Sequence, residues 1–207
     1  MSQDLMSNKR MLTTWRAPVI TIATAASLAA LAIDESRPAS GDGRTILAES
    51  RFDATRPARQ AQLVVDFPTG AWTSWHAHGG QAINLVLEGE ITLRHAGMEQ
   101  PYRAGQAWTD SSSQVHAAGN SGAAKARLLT NFLLPQGAPE TIAVMESPFE
   151  PTIAYAARFA LPALPADAQI LQQVVDLGAA SHAERALGGF TANIVMAGEV
   201  AYKIGPE

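Results

Sequence analysis

The chemistry in this sequence is concentrated in its histidines. There are five of them, His76, His78, His95, His116 and His182, and no cysteine. Without cysteine there is neither a thiolate zinc site nor a cysteine nucleophile. His76 and His78 form His-x-His within GAWTSWHAHGG at 70–80. In an extended strand residues i and i+2 face the same way, so both imidazoles can reach one metal ion. Neutral imidazole suits Fe, Zn, Cu, Ni and Mn when further ligands complete the geometry. Taken alone, the same pair reads equally well as two solvated side chains on an outer strand face. Other chemistries have no motif here. There is no Gly-x-Gly-x-x-Gly after a strand, no Gly-x-x-x-x-Gly-Lys and no Gly-x-Ser-x-Gly.

The elements that must position the histidines read as strands. QLVVDF at 62–67, INLVLEGEITLRH at 83–95 and ARLLTNFLL at 126–134 are rich in Val, Ile, Leu and Thr. Pro68-Thr69-Gly70, Gly79-Gly80, Gly97 and Gly105 separate them. Leu85, Leu87, Ile91 and Leu93 keep one face apolar at period two, as a half-buried strand requires. Many short strands at this spacing predict an all-β sandwich or barrel. From 137 to 168 six prolines fall within or just before the segment, which limits any helix and favours a connector over a surface. With 207 residues, 47% of them hydrophobic, the chain can bury a real core. Its net charge of −4 argues against general nucleic-acid binding, leaving a small molecule or another protein as partner.

The strand pattern then returns. QQVVDL at 172–177 resembles QLVVDF, and GGFTANIVMAGEVAYK at 188–203 lines up without gaps on GGQAINLVLEGEITLR at 79–94. Duplication is the favoured explanation of this self-similarity. The positions aligned with His76 and His78 hold Arg185 and Leu187, and His182 has no histidine two residues away. No second metal site is expected in this half, whose role is read as structural.

Gly70, five residues, His76-x-His78 and then Gly89 resemble the first motif of the cupin superfamily. His116, three residues and Asn120, preceded by Gly105, resemble the second. The resemblance covers about residues 60–135. It implies an all-β, cupin-type jelly-roll β-barrel, and the repeat implies a bicupin with a partial second copy. It also implies a divalent transition metal, Fe first, with Mn, Zn, Ni or Cu permitted. His76, His78 and His116 match the family's three histidine ligands, and Trp75, Asn84 and Trp108 are expected to line the pocket. The family's glutamate has no match, because its position holds Ala82. Gln81 reaches the metal only if Gly79-Gly80 introduces a bulge. The expected shell is three histidines completed by water, substrate or Gln81. The resemblance implies an enzyme acting on a small organic molecule, a dioxygenase-type oxidoreductase first and an isomerase second. A non-catalytic small-ligand or metal binder and a degenerate structural cupin are the alternatives.

The N-terminal residues read as an address. APVITIATAASLAALAI at 17–33 follows Lys9, Arg10 and Arg16 and ends in small residues, as a secretory signal peptide does. The expected organisation is a signal peptide or uncleaved anchor at 1–32 and a polar tether at 33–45. A metal-binding cupin domain follows at 46–136, then a Pro-rich connector at 137–168 and a partial repeat at 169–207. Export to the periplasm or medium is expected, with membrane contact only through the first segment if it is uncleaved. Strand edges left open by an incomplete barrel predict a homodimer.

Overall fold

The structure is a computed structural model describing residues 17–25, 44–51, 58–161, 169–177, 191–195 and 199–200. The described residues contain no helix. Their strands, in chain order, are β1 (Ala17–Ala25), β2 (Arg44–Arg51), β3 (Ala58–Phe67), β4 (Trp75–Ala77) and β5 (Gln81–Glu88). They continue as β6 (Glu90–His95), β7 (Met98–Arg103), β8 (Ala107–Asp110), β9 (His116–Gly119) and β10 (Ala126–Pro135). The last four are β11 (Ile142–Met145), β12 (Thr152–Ala160), β13 (Gln169–Leu177) and β14 (Thr191–Val195).

Three antiparallel sheets result. A front sheet runs β11-β4-β9-β6-β7, a middle sheet β12-β3-β10-β5-β8 and a back sheet β14-β1-β13-β2. Alternation explains how the middle sheet serves two neighbours. Val86 of β5, Phe67 of β3, Trp108 of β8 and Leu128 of β10 pack with Ile91, Leu93 and Ala118 of the front sheet. Leu85 and Leu129, one residue along and so on the opposite face, pack with Val174 and Ile194 of the back sheet. The front and middle sheets therefore close an all-β jelly-roll barrel, whose interior carries the histidines.

The segment read as a connector contributes to both sheets of the barrel. β11 pairs with β4, and β12 pairs with β3. Its prolines flank these strands without interrupting them. Pro139 precedes β11, while Pro148 and Pro151 lie between β11 and β12. Pro101, by contrast, stands inside β7, which is the last strand of the front sheet, where a missing N–H costs no central ladder bond.

The back sheet has the same strand arrangement as four strands of the middle one. Its order β14-β1-β13-β2 corresponds to β5-β10-β3-β12, with every pairing antiparallel. The register agrees as well. Leu129 of β10 lies opposite both Val64 and Leu85, and Ile20 of β1 lies opposite both Val174 and Ile194. Val174 and Ile194 are the residues that align with Val64 and Leu85 in the sequence repeat. Residues 17–25, part of the segment read as an export signal, thus form the strand between β13 and β14. His182, Arg185 and Leu187 lie outside the described residues, as do most of 1–32 and of the tether.

Candidate metal centre

β4 and β9 are neighbours in the front sheet, and His76 lies directly opposite His116. Opposed residues share a face, so both rings point into the barrel. His78, two residues beyond His76, joins them. The three ring centroids are 4.5–4.9 Å apart, and their ligating nitrogens lie within 4.8 Å of one another. Each histidine is buried, at 6%, 4% and 2% exposure for His76, His78 and His116.

The ring orientations are fixed from behind. Nδ1 of His76 bonds Ser74 O at 2.6 Å, that of His78 bonds Glu140 O at 2.8 Å and that of His116 bonds Gln114 O at 3.0 Å. A carbonyl only accepts, so each Nδ1 carries the hydrogen. In the neutral ring Nε2 is then a bare lone pair, the tautomer a metal ligand needs. Burial pushes the His76 imidazole down to about 4 against the opposing bond to Ser74, and burial also lowers His116. Both are therefore neutral at pH 7.

The supports are themselves held. Arg59 and Arg158 grip the Glu140 carboxylate at 2.8 and 2.6 Å, fixing the carbonyl that orients His78. Ser74 Oγ bonds Glu150, and the Ser74 amide donates to the same carboxylate at 3.3 Å. Asn120 closes the turn after β9. Its Nδ2 donates to Phe67 O and Ala124 O at 2.9 and 2.7 Å, and its Oδ1 accepts from Gly122 at 2.9 Å. The second-motif asparagine thus has a structural duty.

A buried carboxylate unforeseen from the sequence faces the same space. Asp110, 2% exposed, ends β8, and its Oδ2 lies 3.5 Å from His116 Nε2 and 3.8 Å from His78 Nε2. Asn84 Nδ2 donates to that oxygen at 2.7 Å and Trp108 Nε1 at 3.2 Å. Burial works to raise the Asp110 acid, but hydrogen bonding, the Asn84 amide included, holds it below the usual carboxylate range. The available signal was periodicity. Trp108 and Asp110 share a face of β8, so an acid stood on an apolar face six residues before His116.

The other expected site residues are distributed unevenly. Asn84 and Trp108 lie beside the cluster through Asp110, and Tyr102 packs on Trp108 with ring centroids 4.6 Å apart. Trp75 alternates with His76 and is half-buried on the other face of β4, opposite Met145. The β5–β10 register is regular through Gln81 and Ala82, with no bulge there. Gln81 therefore shares the face of Ile83 and Leu85, away from Ala82 and the histidines. His95, read as a surface residue, is half-buried and stands opposite His116 across β6 and β9.

Residues 63–132 match the Cupin domain family. The barrel has the cupin-type jelly-roll fold. Among solved structures, a conserved protein with a double-stranded β-helix domain from Klebsiella pneumoniae is 22% identical at TM-score 0.38, covering 53% of this chain and 90% of that one. A predicted oxalate decarboxylase from Thermotoga maritima is 20% identical at TM-score 0.34, covering 42% and 93%. An oxalate oxidase in complex with the substrate analogue glycolate is 20% identical at TM-score 0.37, covering 51% and 57%. Comparison with curated proteins finds no match.

The barrel's donor set fits a divalent transition metal. Three converging imidazole nitrogens match the ligand type and number that such ions take in sites with open positions.

Proposed function

We propose that this cupin domain holds a divalent transition metal on His76, His78 and His116 and acts on a small organic molecule. Iron is the first choice, ahead of Mn, Zn, Ni and Cu. The observation that carries the reading is the set of three Nδ1-to-carbonyl bonds, which turns every Nε2 lone pair toward one point. The bound metal would supply Lewis acidity and, if iron, a one-electron couple. The chain's own residues would do the rest. Ser74, Gln114 and Glu140 keep the rings aimed, and Phe132, 4.9 Å from the His78 ring, keeps that side of the space apolar. A dioxygenase-type oxidation is the first activity to test, followed by isomerisation. The near-complete burial of all three rings favours a second reading, capture of metal or ligand without turnover.

One preparation tests the reading. Metal content of the untagged chain is measured beside His76→Ala/His78→Ala. Near-stoichiometric metal that falls to background in the variant is the expected result. Absence of metal from both after reconstitution with each candidate ion would sink the proposal. Oxygen consumption by an iron-loaded protein with a panel of small organic acids and phenols then separates oxidation from capture.

We also infer that the back sheet is the partial second cupin-like repeat. The sequence alignment and the shared three-strand register support one duplication, with β1 standing where β10 stands and β2 where β12 stands.

A further inference from the structure

Ala82 occupies the position where the family's first motif would put its carboxylate, and Ala82 is directly opposite Asp110 across β5 and β8. Directly opposed residues of an antiparallel pair point to the same face with Cβ atoms about 4.5–5.5 Å apart. An acid moved from one position to the other therefore still enters the same space, and the methyl group of Ala82 leaves room for it.

The surroundings of Asp110 argue that this space contains a cation when the protein works. Three Nε2 atoms and Asp110 Oδ2 converge, and in neutral rings, with every Nδ1–H committed to a carbonyl, all four are acceptors. Acceptors facing acceptors in a buried space repel, and the two donors on Asp110, the Asn84 amide and the Trp108 indole, are neutral and leave its charge uncompensated. A cation among them resolves the conflict. The separations of 3.5 and 3.8 Å need only a small contraction for the atoms to share an ion at bond lengths of about 2.0–2.2 Å.

Asp110 is also aimed. Thr130 Oγ1 donates to Asn84 Oδ1 at 2.8 Å, which turns the other end of the Asn84 amide, its Nδ2, onto Asp110. Trp108 supplies a second donor. Second-shell donors of this kind fix a ligating carboxylate.

We propose that Asp110 is the fourth protein ligand of the metal centre, a carboxylate transposed from the Ala82 position of β5 to the neighbouring strand β8. The inference rests on the three-histidine reading above. It changes the charge of the site, because a dication on three imidazoles and one carboxylate carries one net positive charge. A substrate binding at the remaining positions is then a neutral molecule or a monoanion with an oxygen donor.

Cobalt(II) is the probe, since its visible bands report the ligand set. Wild type, Asp110→Asn, Ala82→Glu/Asp110→Ala and His76→Ala/His78→Ala are titrated with cobalt, and the folding of each metal-free form is checked by circular dichroism. Asp110→Asn is expected to change the band pattern and to cost more than the roughly 10–100-fold in affinity that loss of an outer-shell partner costs. Ala82→Glu/Asp110→Ala returns the carboxylate to β5 and is expected to recover at least a tenth of the wild-type affinity. This variant also decides the matter should Asp110→Asn not fold. Bands unchanged in Asp110→Asn while wild type binds cobalt would overturn the assignment and leave the three-histidine site standing. A wild type that binds no cobalt would overturn both.

Discussion

Three buried imidazoles inside a barrel are tolerated because each has one nitrogen satisfied by a backbone carbonyl, and that arrangement has a consequence for acid stability. An unfolded chain protonates its histidines near 6.5, while burial holds folded His76 down to about 4. A group whose folded pKa is depressed lets the unfolded state bind protons first, so stability falls as pH falls. The contribution is whole above 6.5, declines between 6.5 and about 4, and is gone below. At 1.36 kcal/mol for each pKa unit it amounts to roughly 3 kcal/mol. His116 is lowered by burial and acts in the same direction. The urea midpoint of metal-stripped protein should therefore drop between pH 7 and 4.5, and His76→Gln should flatten that slope. A wild-type midpoint unchanged across the window would contradict the assigned neutral rings. At this scale the histidines were legible because His-x-His is a local pattern whose geometry follows from the strand period. Asp110 was not, because its partner Ala82 is 28 positions away and only strand pairing brings the two together.

At the scale of elements, the site depends on a tight passage between β4 and β5. A Cβ on Gly80 would lie 2.1 Å from Leu133 O, and one on Gly79 would lie 2.4 Å from Pro139 O. The two glycines let the chain run against the end of β10 and the 138–140 segment, and Gly79 N donates to Pro139 O at 3.0 Å. The next residue along that segment supplies the carbonyl that orients His78. Gly80→Ala must push two backbones apart, which should cost about 1–3 kcal/mol or more. It should also loosen metal binding through His78. Chemical denaturation of the metal-free variant, paired with a cobalt titration, checks both effects, and a variant with wild-type values in each would show that the passage is compliant. β5, β6 and β10 were legible because burial, on both faces of β5 and β10, fills them with Val, Ile, Leu and Thr. β11 and β12 were missed for the converse reason. Their side chains are almost all exposed, so no apolar alternation marks them, and the neighbouring prolines spoke for a loop.

The whole molecule turns on the role of residues 17–25. By composition they suit an export signal, yet in the fold they form β1, which pairs over nine residues with β13 and over five with β14. Without β1, these two strands lose the partner between them and present unpaired edges. Their inner faces also help cover the middle sheet, where Val174 and Ile194 pack against Leu85 and Leu129, and Asn131 Nδ2 donates to Gln172 Oε1 at 3.1 Å. The histidine cluster needs none of this, since the three histidines and the groups that orient them, Ser74, Gln114 and Glu140, lie on strands of the front sheet or in the loops joining the front and middle sheets. A chain starting at Ile33 should therefore keep its metal stoichiometry but melt lower by roughly 10 °C, the shift that a loss of a few kcal/mol gives a protein of this size. It should also self-associate through the exposed edges, visible by light scattering. The opposite outcome carries its own meaning. Equal melting temperature and an unchanged mass would show that β13 and β14 hold without β1, and residues 1–32 would then be free to serve as a cleaved leader. The two results differ because a strand cannot both complete a sheet and be discarded during export, and the matching register of Ile20 and Leu129 is the reason to expect the first.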